Sequence, residues 1–167
     1  MVILTGPRQV GKTTLSQLLM QERPGAQYLN YDIPAHREIL RYQSWSKETP
    51  LLVFDEIHKM SNWKAWLKGA FDGRSLQLAP PAGSGNVIGP AQQLLVTGSA
   101  RMDTFRQVGE SLAGRFYKLR LHPISVHEWC EQTQASPAAA LSHLLQRGGF
   151  PEPCLAPDET TDRKSVV

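Results

Sequence analysis

A glycine-rich turn near the start of the sequence has the residue types and the spacing to hold a chain of phosphates. It matches the pattern G-x-x-x-x-G-K-[ST] over the residues Gly6, Pro7, Arg8, Gln9, Val10, Gly11, Lys12 and Thr13. Glycines let the backbone turn tightly, so that successive N–H groups point at phosphate oxygens. Lys12 would reach the β- and γ-phosphates, and the Thr13 hydroxyl would give Mg²⁺ an oxygen ligand. The turn, extended to Thr14, is therefore predicted to hold the phosphates of ATP.

An acidic pair, Asp55 and Glu56, forms a second candidate group. It follows the apolar run Leu51-Leu52-Val53-Phe54, which is typical of a strand buried in a parallel sheet. The carboxyl end of such a strand faces the same crevice as a phosphate loop, so Asp55 is predicted to bind Mg²⁺ directly or through water. Glu56 would orient and deprotonate the water that attacks the γ-phosphate. A glutamate at this position therefore predicts that the bound ATP is hydrolysed.

Two small hydroxyl side chains, Thr97 and Ser99, end a further apolar run. Either of them could hold the attacking water or sense the γ-phosphate. The alternative is a polar strand end, in which Ser99 caps the following helix by accepting hydrogen bonds from backbone N–H groups. The sequence leaves both interpretations open.

The elements that must position these residues alternate between strands and helices. The periodicity of apolar residues predicts strands at 2–4, 27–32, 51–54, 94–96 and 116–121, and helices at 13–21, 35–42, 62–71 and 136–146. Residues 73–92 are rich in Pro, Gly, Ser and Ala, which predicts a long loop or insertion. Strands that alternate with helices predict an α/β fold with a parallel sheet.

Two of these helices are marked by the spacing of their apolar residues. Leu15, Leu18 and Leu19 recur at helical spacing in the first helix. One face of the third predicted helix carries Trp63, Trp66, Leu67 and Ala70, which is a pattern of core packing.

Composition narrows the class of protein. The chain has 167 residues, of which 41% are hydrophobic and 20% charged, as in ordinary globular domains. The net charge of +3 is spread without a basic block, so it gives no indication of nucleic-acid binding. The two cysteines, Cys130 and Cys154, and the scattered histidines lack metal-ligand spacing. No apolar stretch approaches the about 20 residues that span a bilayer, and we expect a cytoplasmic protein without a membrane partner.

With these segments together, the chain resembles a prokaryotic branch of the AAA-type ATPases, whose members are usually described only as ATP-binding proteins. The segments that carry the resemblance are LTGPRQVGKTT (4–14), YLN (28–30), DEIHK (55–59), VTGS (96–99), SLAGR (111–115) and GGFPE (148–152). The resemblance implies the three-layer sandwich of P-loop NTPases, with a mainly parallel five-stranded sheet. The phosphate-loop strand would be central, with an additional strand between it and the acid-bearing strand.

The resemblance also implies a domain organisation and an oligomer. The ATPase core would cover residues 1–130, a helical lid would begin in 131–157, and 158–167 would be a disordered tail. Family proteins are longer on both sides and continue into a nuclease-like domain, so we expect this sequence to be a fragment. Arg115 resembles the arginine that AAA proteins project into a neighbouring subunit's nucleotide, which would require a homo-oligomer. The alternative is a surface or salt-bridged arginine at the start of a strand.

The resulting hypothesis is Mg²⁺-dependent ATP hydrolysis coupled to a conformational change, with the client, protein or DNA, left open. One alternative is a nucleotide-gated regulatory or DNA-associated module that turns over slowly. A small-molecule kinase shares the phosphate loop, but it does not need a water-activating glutamate beside the metal aspartate. The pair Asp55 and Glu56 therefore argues against a kinase.

Overall fold

The computed structural model describes residues 1–77, 92–98, 112 and 114–157. The chain divides into two compact units. The first contains Met1–Gly6 and Lys12–Arg120, and the second contains Pro7–Gly11 and the chain from Leu121 onward.

The first unit is built on a five-stranded sheet in which every paired strand runs parallel to its neighbour. The strands are β1 (Val2–Thr5), β2 (Gln27–Asn30), β3 (Leu51–Asp55), β4 (Gln93–Thr97) and β5 (Tyr117–Arg120). Their order across the sheet is β2-β3-β4-β1-β5. The predicted α/β fold is confirmed, and β4 lies between the phosphate-loop strand and the acid-bearing strand as expected. The middle position belongs to β4, however, so β1 is an interior strand rather than the central one.

The helices of the first unit are α1 (Lys12–Gln21), α2 (Pro34–Tyr42), a short 3₁₀ turn (Ile57–Lys59) and α3 (Trp63–Gln77). The second unit contains α4 (Val126–Thr133), α5 (Pro137–Arg147) and α6 (Pro151–Leu155). The expectation that residues 73–77 belong to a loop is wrong, because α3 continues through Gln77. The rest of that predicted loop, 78–91, lies outside the described residues, as do 158–167. No helix within the described ranges is long and apolar enough to cross a membrane.

The core is centred on β3, whose five residues are all buried. Successive strand residues point to opposite faces, so burial of the whole run means that both faces of β3 are covered. The ring of Phe54 packs 5.3 Å from the rings of both Trp45 and Trp66, and the indole N–H of Trp66 donates to the carbonyl of Leu40 at 3.2 Å. The predicted core residues of α3 are confirmed as buried or packed against the core.

Two apolar patterns do not correspond to burial. The leucines of α1 recur at helical spacing, yet Leu18 is 53% exposed and the buried residues of this helix are Lys12 and Ser16. The alternating strand β5 has all four residues exposed. Apolar spacing therefore identified both elements correctly, but it did not identify the faces that they bury.

Helices α4 and α5 of the second unit begin at serine caps. The hydroxyl of Ser125 accepts from the backbone N–H of Glu128, and the carboxylate of Glu128 accepts from the backbone N–H of Ser125, which satisfies donors that a helix start leaves unpaired. Gly149 lies where two segments meet, because a Cβ at this position would stand 2.7 Å from the carbonyl oxygen of Ile124. A side chain at 149 would therefore force these segments apart.

Candidate functional site

The phosphate loop joins β1 to α1 and has an unusual backbone. Gly6, Gln9 and Gly11 have φ angles of 154°, 61° and 96°, a region that glycine enters at little cost and other residues avoid. Residues of positive φ interspersed among ordinary ones turn neighbouring N–H groups toward a common centre, which forms an anion-binding concavity. The backbone of Gly6–Gly11 therefore has the local geometry expected of a phosphate loop.

The residues that start α1 differ in exposure. Lys12 is 9% exposed, and its ammonium donates to the carbonyl of Gly6 at 3.0 Å. Thr13 and Thr14 are exposed, and the Thr13 side chain lies near the Tyr28 hydroxyl. The lysine thus lies back along the loop, while the threonine reaches toward β2.

Asp55 is the best-connected acid of the site. Its carboxylate accepts from the Thr97 hydroxyl at 2.5 Å and from the Glu56 backbone N–H at 3.0 Å, both at Oδ1. At Oδ2 it accepts from the Tyr28 hydroxyl and, at 3.4 Å, from the Asn30 amide. The sheet register accounts for these contacts, because Asn30 and Thr97 lie opposite Asp55 on the two flanking strands. Burial, followed by the hydrogen bond to Asp55, raises the pKa of Tyr28 to about 12, so this hydroxyl keeps its proton.

Glu56 has different surroundings. Its backbone is left-handed, with φ 54° and ψ 21°, and its carboxylate lies 3.3 Å from the Lys59 ammonium and 3.6 Å from Nε2 of His58. Lys59 also pairs with Asp32 at 2.5 Å, and that hydrogen bond raises the pKa of Lys59. Burial lowers the pKa of His58. The Glu56 carboxylate is therefore held by the Lys59 ammonium, with the His58 ring nearby, beside the strand end.

Arg115 forms a two-pronged ion pair within the chain. Its Nε lies 2.8 Å from Oδ1 of Asp72, and its Nη2 lies 3.3 Å from Oδ2. These hydrogen bonds raise the pKa of Arg115 and lower that of Asp72. In the single chain Arg115 is thus salt-bridged. Ser99 lies outside the described residues.

The structure brings Asp55 and Thr97 into direct contact and places the Tyr28 hydroxyl beside both Asp55 and Thr13. Sequence reasoning assigned no role to Tyr28 or Asn30, although both belong to a segment noted for its resemblance. A signal was available, because residues two apart on a strand share a face and Tyr28 and Asn30 end a strand next to an acid-bearing one. Hydroxyl and carboxylate oxygens are the donors that Mg²⁺ prefers. The side chains of Thr13 and Asp55 therefore fit a Mg²⁺ ion that also binds phosphate and water.

The parallel sheet, the inserted strand β4 and the loop between β1 and α1 define a P-loop NTPase core. A family model described as an AAA domain matches residues 1–130, and the chain belongs to this family. Membership in this family indicates a nucleotide-binding, ATPase-like function.

Curated relatives include an uncharacterized protein of Mycobacterium bovis and one of Mycobacterium tuberculosis. Each is 29% identical over 151 residues, which is 90% of this chain. The chain spans 30% of the length of these relatives.

Proposed function

We propose that this chain binds ATP with Mg²⁺ and hydrolyses it in the cytoplasm. The observation that carries the proposal is the hydrogen-bonded cluster of Tyr28, Asp55 and Thr97, which lies near Thr13. The positive φ angles of the phosphate loop support it independently. Gly6–Thr14 would hold the phosphates, with Lys12 moving from the Gly6 carbonyl to the β- and γ-phosphates. Thr13 and Asp55 would hold Mg²⁺, which when bound neutralises charge on the phosphate oxygens.

Glu56 is the proposed general base. Lys59 and His58 both approach Oε2 of Glu56, so the other carboxylate oxygen, Oε1, would accept the proton from water. Thr97 would contribute by fixing Asp55, and the water-holding or sensing role remains assigned to Thr97 or Ser99. Turnover would drive a conformational change on a protein or DNA client.

The proposed domain organisation has an ATPase core over residues 1–130 and the start of a lid over 131–157. Arg115 would act in trans, on a nucleotide bound to a neighbouring copy, and it would have to exchange Asp72 for phosphate. This exchange requires a homo-oligomer. Sedimentation of the chain with and without ATP tests that requirement.

Binding should be tested first, by titrating the protein with ATP and Mg²⁺. Lys12→Ala is expected to abolish saturable binding or turnover, because the loop loses its only lysine. Lys47→Ala, which removes an exposed lysine from another part of the chain, should bind as the parent does. Equal binding by Lys12→Ala and the parent would remove the phosphate-loop assignment.

Hydrolysis is tested separately by Glu56→Gln. This variant is expected to keep ATP bound and to lose phosphate release by on the order of a hundredfold or more, since only the base is lost. Glu48→Gln, at an exposed glutamate, is the matched control. Unchanged phosphate release by Glu56→Gln would contradict the role of Glu56.

The contacts of Glu56 also favour a second candidate, a slow nucleotide-gated regulatory or DNA-associated module. In the single chain, pairing with Lys59 and His58 holds the Glu56 carboxylate, which would slow its reaction with water. In that case steady-state phosphate release by the parent would be slow and Glu56→Gln would change it little, while ATP binding would remain saturable.

A further inference from the structure

Tyr28 lies between the two side chains proposed to hold Mg²⁺. Its hydroxyl donates a hydrogen bond to Asp55 and lies near the Thr13 side chain. We propose that Tyr28 is a positioning residue of the metal site, whose hydroxyl holds the Asp55 carboxylate in the orientation in which it binds the ion. This inference rests on the proposed binding of Mg²⁺ and ATP.

The direction of each hydrogen bond follows from the donors available. An ionised carboxylate only accepts, so the single hydroxyl proton of Tyr28 goes to Asp55. The Tyr28 oxygen accepts from the Asn30 amide at 3.3 Å, which holds the hydroxyl from its other side. Because Tyr28 and Thr97 donate to different oxygens of Asp55, the carboxylate is held in one orientation from both of its oxygens.

The sheet, rather than a loop, fixes the position of Tyr28. Tyr28 pairs with Val53 in the register between β2 and β3, and Asp55 follows two residues later on the same face. The end of β2 is held by two further bonds, from Tyr31 N–H to the Asp55 carbonyl at 3.0 Å and from Asn30 N–H to Nδ1 of His36 at 3.1 Å. The hydroxyl is therefore positioned before a metal binds.

The test compares nucleotide affinity with and without metal. A fluorescent, non-hydrolysable ATP analogue is titrated into the chain in excess Mg²⁺ and again in EDTA. The Kd in EDTA divided by the Kd in Mg²⁺ is the ratio that measures how strongly the metal supports binding. Tyr28→Phe keeps the ring and removes the hydroxyl. Loss of a group that orients a metal ligand typically weakens metal binding by about tenfold or more, so the ratio should fall by about tenfold.

Tyr31→Phe is the matched control. Tyr31 packs against the core with its ring under the Arg37 guanidinium, and removal of its hydroxyl should leave the ratio unchanged. The Kd in EDTA reports whether Tyr28→Phe is folded and retains the phosphate loop, since the proposed role acts only through the metal. That Kd should equal the parent's.

Each outcome gives a decision. A lower ratio with an unchanged Kd in EDTA supports the positioning role. An unchanged ratio overturns it, including the case in which both affinities weaken together, and a higher ratio would mean that the hydroxyl competes with the metal. If the parent itself binds no analogue under either condition, the proposed ATP site fails, and the role of Tyr28 fails with it.

Discussion

Two neighbouring acids, Asp55 and Glu56, differ in almost every physical respect. Asp55 ends an extended strand, is 6% exposed and accepts hydrogen bonds from groups on both flanking strands. Glu56 has a left-handed backbone, its side chain is 24% exposed, and its carboxylate faces the side chains of Lys59 and His58. The sheet fixes the first acid, and exchangeable ion pairs hold the second.

This difference suits two different tasks. A metal ligand benefits from a fixed orientation that is established before the ion arrives. A general base must be able to reorient toward a water molecule. A partly exposed ion pair, worth at most about 1 kcal/mol, permits that movement. Adjacent positions in the sequence can therefore provide one rigid carboxylate and one mobile carboxylate.

The largest loss of stability is expected from Asp55→Ala. It leaves the hydroxyls of Thr97 and Tyr28 without their acceptor, and each unsatisfied buried group costs about 1–3 kcal/mol. We expect the free energy of unfolding to fall by about 3 kcal/mol in urea denaturation. Glu56→Ala should lose less than about 1 kcal/mol. Equal losses would contradict the distinction between the two acids.

Thr97→Val tests the buried side of the cluster. The hydroxyl of Thr97 donates to a carboxylate, and hydrogen bonds to charged groups contribute about 1.5–3 kcal/mol. Thr5 is a matched control, because it is also 0% exposed but donates to a neutral acceptor, the Leu119 carbonyl, at 3.3 Å. In urea denaturation Thr5→Val should cost about 1 kcal/mol, less than Thr97→Val. The reverse order would contradict a stabilising bond to Asp55.

The backbones of the two acids can be compared directly with alanine and glycine. A left-handed conformation costs an L-residue about 1–2 kcal/mol, so Glu56→Gly should be more stable than Glu56→Ala by about 1 kcal/mol. At Asp55, in an extended strand, Asp55→Gly should be less stable than Asp55→Ala. Thermal unfolding of the four variants checks both orders, and the same preference at both positions would contradict the observed backbone.

The smallest effect concerns pH and the surroundings of Glu56. Burial holds the pKa of His58 below its ordinary 6.5, so the unfolded chain binds a proton there more tightly than the folded chain. The contribution of His58 to the free energy of unfolding is fully present above the pKa that His58 has in the unfolded chain. It is lost as the pH falls through the lower pKa that His58 has in the folded chain. His58→Gln should therefore lose less stability than the parent between pH 7 and 5. A loss in His58→Gln equal to that of the parent would contradict this expectation.

Much of this arrangement could be predicted from the sequence, because a buried strand is recognisable as an apolar run and its end as the first polar residue after that run. The apolar run before Asp55 and the run before Thr97 both end at the same edge of a parallel sheet, and the register places these two residues in contact. The loop pattern from Gly6 to Thr13 likewise required only spacing.

Other contacts depend on side-chain reach, which spacing does not encode. The pairing of Lys59 with Asp32 and of Arg115 with Asp72 joins residues far apart in the chain. The exposure of Leu18 is another case, because helical periodicity cannot distinguish an inward from an outward leucine. Helix α4 was missed despite a signature, Ser125 with Glu128 three residues later, that marks a helix start.

The position of β1 in the sheet has a consequence for how the molecule forms. Val2 pairs with Leu95 on one side and with Tyr117 on the other, whereas β2 and β3 are close in the chain and pair with each other. Pairings between distant segments form late and slow the folding of a domain. Strand β1 can therefore pair only after β4 and β5 have been synthesised. We expect the phosphate loop, which follows β1, to become ordered late in folding for the same reason.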